Sequence, residues 1–192
     1  ASARVTGGVL EYAPGWPQLT GITADLLFEG RKMVITSSRA SHYGVQVAKV
    51  TAVIPDLIGP SVLQIDGQTE GPLPDYLKFI AARPVRGFID GATDGWSGEG
   101  RAKLELHLKL PLASIDQTRV AGGFQFAGNG LSMGTGSAPL AQVNGTIEFT
   151  ESSVNAKNIA AQTLGGNVTM QLDTRDGAAT ATVQGSIDGT QL

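Results

Sequence analysis

Residues Gly100–Leu112 read GRAKLELHLKLPL, with leucine at 104, 106, 108, 110 and 112. Lys103, Glu105, His107, Lys109 and Pro111 stand between and beside them. In a pleated strand a period of two sends successive side chains to opposite faces. One face is therefore all leucine and the other carries charge and a histidine. Wound into a helix, the same leucines would be smeared around the cylinder, so the stretch is predicted as a strand. Such a strand must cover its apolar face and can leave the other in water, as antiparallel sheets commonly do.

The rest of the chain supplies more strands. Alternating runs are predicted at Val5–Ala13, Thr20–Gly30, Lys32–Ser41, Val45–Ile54, Val62–Thr69, Val120–Ala127, Leu131–Ser137, Gln142–Thr150, Val154–Ala161, Asn167–Asp173 and Ala178–Ile187. Their spacing near ten residues and their glycine punctuation signal an all-β meander, mainly antiparallel. Glycines number 26 of 192, about twice the usual share, and they permit the bulges and bends that curve a sheet. The expected fold is a curved, glycine-rich meander forming an open groove or a folded-over sheet. It has one short helix near 74–82, where Tyr76, Leu77, Ile80 and Ala81 form an apolar stripe. Proline and Asp75 favour that helix's start, and Arg83-Pro84 ends it.

The chain is expected to be a single segment, residues 1–192, excised from a longer β-groove protein. Phe28–Val47 can be laid on Phe149–Val168 without a gap, with the phenylalanines, Ala40 and Ala161, Gly44 and Gly165, and the final valines coinciding. Two readings stand here: ordinary meander resemblance, or repeat units at 20–54 and 143–173 stacked around a continuous core.

Composition narrows the chemistry. The net charge is −3 and the 14 Lys and Arg are scattered, which argues against a nucleic-acid surface. With no cysteine, disulfides and thiolate metal sites are excluded. Neither His42 nor His107 has a carboxylate or serine placed by sequence to suggest a triad, so no catalytic residue, metal ligand or cofactor is assigned. Gly128-Asn129-Gly130 lacks the Gly-Lys-Ser/Thr ending of a phosphate loop and reads as turns. Asp90 and Asp94 fall short of a calcium loop, and the sequons at Asn144 and Asn167 lie mid-strand.

The remaining signal is apolar surface. Ten side chains share the apolar faces: Leu104, Leu106, Leu108 and Leu110, with Phe124, Phe126, Ile147, Phe149, Val168 and Met170. They either close on one another as a sandwich core or line an open groove. One helix is little cover for about ten strands, and aromatics are scarce at 6%, which favours the groove.

Several pieces occur in a recognisable order. They are Trp16-Pro17, ADLLFEG at 24–30, VTAVIPDL at 50–57, LQIDGQTEGPLPDYLKFI at 63–80, the leucine strand, and Leu164-Gly165-Gly166. In that order they resemble the central region of the YhdP-like proteins, within the AsmA-like and TamB-like superfamily of bacterial envelope proteins, over roughly Thr6–Leu172. The resemblance implies a periplasmic protein anchored in the inner membrane by parts outside this chain. Its apolar β-groove would carry phospholipid or fatty acyl chains between the inner and outer membranes and help maintain the outer-membrane barrier, with other envelope proteins as partners. Headgroups would ride in water near Arg101 and Lys103. The competing expectation is a structural or adhesive β module of a secreted or surface protein, with a closed core and no ligand.

Overall fold

The computed structural model describes residues 1–10, 18–82, 86, 89 and 91–186. Its strands are β1 (Ser2–Leu10), β2 (Leu19–Glu29), β3 (Lys32–His42), β4 (Val45–Ile54), β5 (Val62–Pro72), β6 (Ser97–Glu99), β7 (Arg101–Pro111), β8 (Arg119–Ser132), β9 (Leu140–Thr150), β10 (Val154–Thr163), β11 (Gly166–Arg175) and β12 (Ala178–Gly185). Helix α1 (Leu73–Ala81) follows β5, and a 3-10 turn (Ile115–Gln117) precedes β8. The hydrogen-bonded order is β1-β2-β3-β4-β5-β7-β8-β9-β10-β11-β12, with β6 paired to β8. Apart from β6, neighbours in the chain are neighbours in the sheet, and the pairings from β1 to β5 and from β9 to β12 are antiparallel. The protein is all-β, as the alternation predicts. Parts of the predicted elements at 11–17, 83–85 and 187–192, together with Asp90, lie outside the described residues.

The chain forms two compact units: Ala1–Glu70 with Leu104–Gly122, and Gly71–Lys103 with Gly123–Leu192. The first is built of hairpins with small buried side chains, Ala24, Ala40, Val45, Val47 and Ile54. The second holds the helix. Proline at its first turn and Asp75 favour the start, and the amide of Leu73 donates to the carbonyl of Gly100 at 2.9 Å. Ala82 is extended at the far end, one residue before the position the Arg83-Pro84 pair predicts. Leu73 and Tyr76 are buried at 2% and 5% exposure, and Leu77 and Ile80 are half-buried. The Tyr76 ring meets Phe124 edge-on at 5.1 Å, and Phe124 meets Phe126 in the same way. Leu131, Leu140, Val143, Ala156, Ile159, Ala161 and Val168 of the same unit are buried as well.

Two expectations are corrected here. The predicted strands at 120–127 and 131–137 are one 14-residue strand as far as Ser132, and Gly128-Asn129-Gly130 lies inside it. Gly128 takes φ +71 as a bulge, so inward positions change from even (Phe124, Phe126) to odd (Asn129, Leu131). Asn129 is fully buried and satisfied: its amide donates to the carbonyls of Glu99 and Arg101, each at 3.0 Å, and its Oδ1 accepts from Ala127 N at 2.8 Å. The expected connection at 87–100 likewise yields β6, which pairs Ser97, Gly98 and Glu99 with Ser132, Leu131 and Gly130. Adding a Cβ at Gly98 would drive it to 2.5 Å from the Leu73 side chain, so glycine there lets the helix start close on this strand.

Strand registers recur at a constant displacement of 121 residues. Thr20 pairs with Ser41, Thr23 with Arg39 and Phe28 with Met33 in β2–β3. Ala141 pairs with Gln162, Asn144 with Ala160 and Phe149 with Val154 in β9–β10. The next turns correspond too: Ser41–Gln46 and His42–Val45 match Gln162–Asn167 and Thr163–Gly166. Positive φ falls at the same places, at Gly7 and Gly128, Gly21 and Gln142, Tyr43 and Leu164, Gly44 and Gly165.

Candidate functional site

In the first unit β7 alternates as its sequence predicts. Leu104, Leu106, Leu108 and Leu110 are half-buried, while Glu105, His107 and Lys109 are exposed. Beyond the strand Leu112 keeps the leucine phase and is 47% exposed. On β5 Asp66 shares the polar face with His107, so Leu63 and Ile65, in the opposite phase, share the leucine face. A row of aliphatic side chains thus lies along one face with no polar atom among the side chains of its β7 members.

On the other face the structure joins what sequence reading left apart. His107 Nδ1 lies 2.5 Å from Asp66 Oδ1, and its Nε2 lies 3.6 Å from Glu105 Oε1. Asp66 stands 41 residues away, so only the strand register brings it to the histidine. All three side chains are more than half exposed, which makes this a solvated hydrogen-bonded group on the polar face of the sheet. Among the described residues no group of His, Asp or Glu converges to hold a metal ion. Asp94 pairs with Arg86, whose hydrogen bond holds the carboxyl below its ordinary value.

The other six candidates lie in the second unit. Phe124, Ile147, Phe149 and Met170 are half-buried, and Phe126 and Val168 are buried at 7% and 6%. Met170 pairs across with Ile159 and Val168 with Ala161, whose small side chain lets the strands carry a larger neighbour. Ile159 and Ala161 are missed by a sequence reading because a register shift after Ala156 changes which positions of β10 face inward.

A meander with an aliphatic row on one face of β7 and charged side chains on the other belongs to the all-β proteins that present a half-buried apolar surface. Residues 1–192 match the family described as YhdP protein, and the chain belongs to that family. It is similar to the intermembrane phospholipid transporter YhdP of Escherichia coli (strain K12), 22% identical over 178 residues. That match takes in 93% of this chain and 14% of the relative, so the chain spans about one-seventh of the relative's length. No solved structure matches. The family is the one that the order of motifs suggested.

Proposed function

We propose that this chain is a lipid-bearing segment of a periplasmic bridge through which phospholipids pass between membranes. The observation that carries this reading is the row Leu104–Leu110, aliphatic throughout and only half-buried. In a closed sandwich such a row is expected to be buried. Each buried methylene contributes about 0.8 kcal/mol, so a row of identical aliphatic contacts holds an acyl chain without fixing it at one place. In the second unit Phe124, Ile147, Phe149 and Met170 supply half-buried apolar side chains of their own, with Phe126 and Val168 buried. Headgroups stay in water outside the row. The E. coli relative is an intermembrane phospholipid transporter, which supports the ligand class. The common registers support successive units at 20–54 and 143–173 within one longer groove protein. No helix among the described residues is long and apolar enough to cross a membrane, so in this reading the anchor belongs to other parts of the parent. The reading assigns no catalysis.

Leu106→Asp tests it with two measurements on one variant. The chain should stay folded and lose co-purified phospholipid. If the row were a closed core, an unpaired carboxylate there would cost several kcal/mol and the domain would unfold. A folded variant with undiminished lipid, or a wild-type chain that carries and takes up none, removes the conduit reading.

A further inference from the structure

The hairpins at corresponding places in the two units differ in the length of their connection. Between β11 and β12, Thr174 pairs with Ala179, enclosing four residues around the turn Asp176-Gly177. At the matching place Val53 pairs with Gln64, enclosing ten. The six extra residues lengthen the connection into the seven-residue loop 55–61, which is tightly held. Asp56 accepts two hydrogen bonds from Arg31, at 2.8 and 2.5 Å, and one each from the amides of Ile58 and Gly59, at 2.9 and 3.3 Å. Ser61 Oγ donates to the carbonyl of Asp56 at 2.8 Å, and the amide of Leu57 donates to that of Arg31 at 2.8 Å. The amide of Leu112 donates to the carbonyl of Ser61 at 2.9 Å, tying the loop to the end of the leucine row.

This fixed loop displays Ile58 at 78% exposure and Leu57 at 41%, beside Leu112 at 47%. Aliphatic side chains held out on a rigid support are a contact surface. The loop is also cheap to take out of water. The amides at 57, 58 and 59 all have acceptors, Pro55 and Pro60 have no amide hydrogen, and the only carboxylate is neutralised by Arg31. It carries no unpaired charge that would seek a headgroup or an acidic partner.

We propose that Leu57, Ile58 and Leu112 form a clasp that takes the acyl chain of a phospholipid lying on the leucine row, lengthening the apolar path past the strand ends. The proposal rests on the conduit reading and adds a subsite to it. Continuity decides the occupant, because Leu112 belongs to the alternation of Leu104–Leu110 and to the base of the loop at once.

The chain has no cysteine, so Ile58→Cys gives one attachment point for a benzophenone. The labelled chain is loaded with palmitoyl-oleoyl phosphatidylethanolamine, irradiated, and its adducts are identified by mass. Leu106→Cys is labelled in parallel, as is Ala178→Cys, exposed at the tight hairpin. Lipid adducts are expected at 58 and 106 and not at 178. Ile58→Asp should retain the wild-type Tm and hold lipid about ten-fold more weakly, the equivalent of roughly two methylenes withdrawn from contact. Adducts at 106 with none at 58 overturn the clasp and leave the conduit standing; none at either site removes both. The clasp is equally overturned by adducts at 58 to a second polypeptide, by lipid adducts at 58 only when vesicles are added, or by equal labelling at 178.

Discussion

The stretches β2–β4 and β9–β11 follow one backbone plan and bury it differently. Their paired residues and positive-φ positions coincide at a constant displacement. Ala40 and Ala161 are both 4% exposed, and Val47 and Val168 are both buried. Elsewhere the equivalents part. Val143 is 1% exposed where Ile22 is half-buried, and Phe126 is 7% exposed where Val5 is 40% exposed. Turns and bulges, which are local, set the register. Burial depends on what lies over the strands, and in the second unit that cover includes α1 with Leu73 and Tyr76.

Removing the cover should have the largest effect. Leu73→Ala, at 2% exposure, should cost about 2–5 kcal/mol in denaturant unfolding, while Leu106→Ala on the half-buried row should cost clearly less. Equal costs would mean that the two surfaces are not covered differently. Next is the buried amide of Asn129, which the first unit replaces with Gly8. Asn129→Ala should cost about 1–3 kcal/mol by stranding the carbonyls of Glu99 and Arg101 and the amide of Ala127, and amide exchange at Ala127 should rise. Smaller still are the matched turns: Gly44→Ala and Gly165→Ala, at φ +131 and +71, should each cost about 1 kcal/mol or more. A large cost at one and none at the other would break the correspondence.

The smallest effect concerns the loop that only one unit has. The amide of Ile58, followed by the Arg31 guanidinium, lowers the Asp56 carboxyl below its model-compound value of 3.8. A lowered folded pKa adds stability above pH 3.8 that is lost as pH falls through the folded value. Asp56→Asn should therefore flatten the acid limb of the Tm–pH curve, and an unchanged limb would show that the loop contributes nothing to it.

The leucine row was legible because alternation is a local property that strand pairing does not disturb. The faces at Phe124 and Phe126, Val143–Phe149 and Val168–Leu172 were legible for the same reason. Bulges were not, since a glycine that shifts phase within β8 looks in sequence like one that turns the chain. Asp66 beside His107 was illegible because cross-strand neighbours depend on register across the helix and β6 that separate them. Leu57 and Ile58 fall between the predicted strands at 45–54 and 62–69, and their display was not legible because the hydrogen bonds of Asp56 that hold the loop involve Arg31, 25 residues earlier.

Strand order that follows chain order also governs how the protein reaches its fold. A strand that pairs with its predecessor can join the sheet as soon as it is made, so each closure spans only a short loop and costs little entropy. Between β5 and β7 this rule is suspended: α1 and β6 intervene, and β6 must wait for β8. By this rule hairpins would add in two series, one on each side of the helix. Between them β5 would present an unpaired backbone edge to the growing chain, where pairing with a wrong strand is easiest.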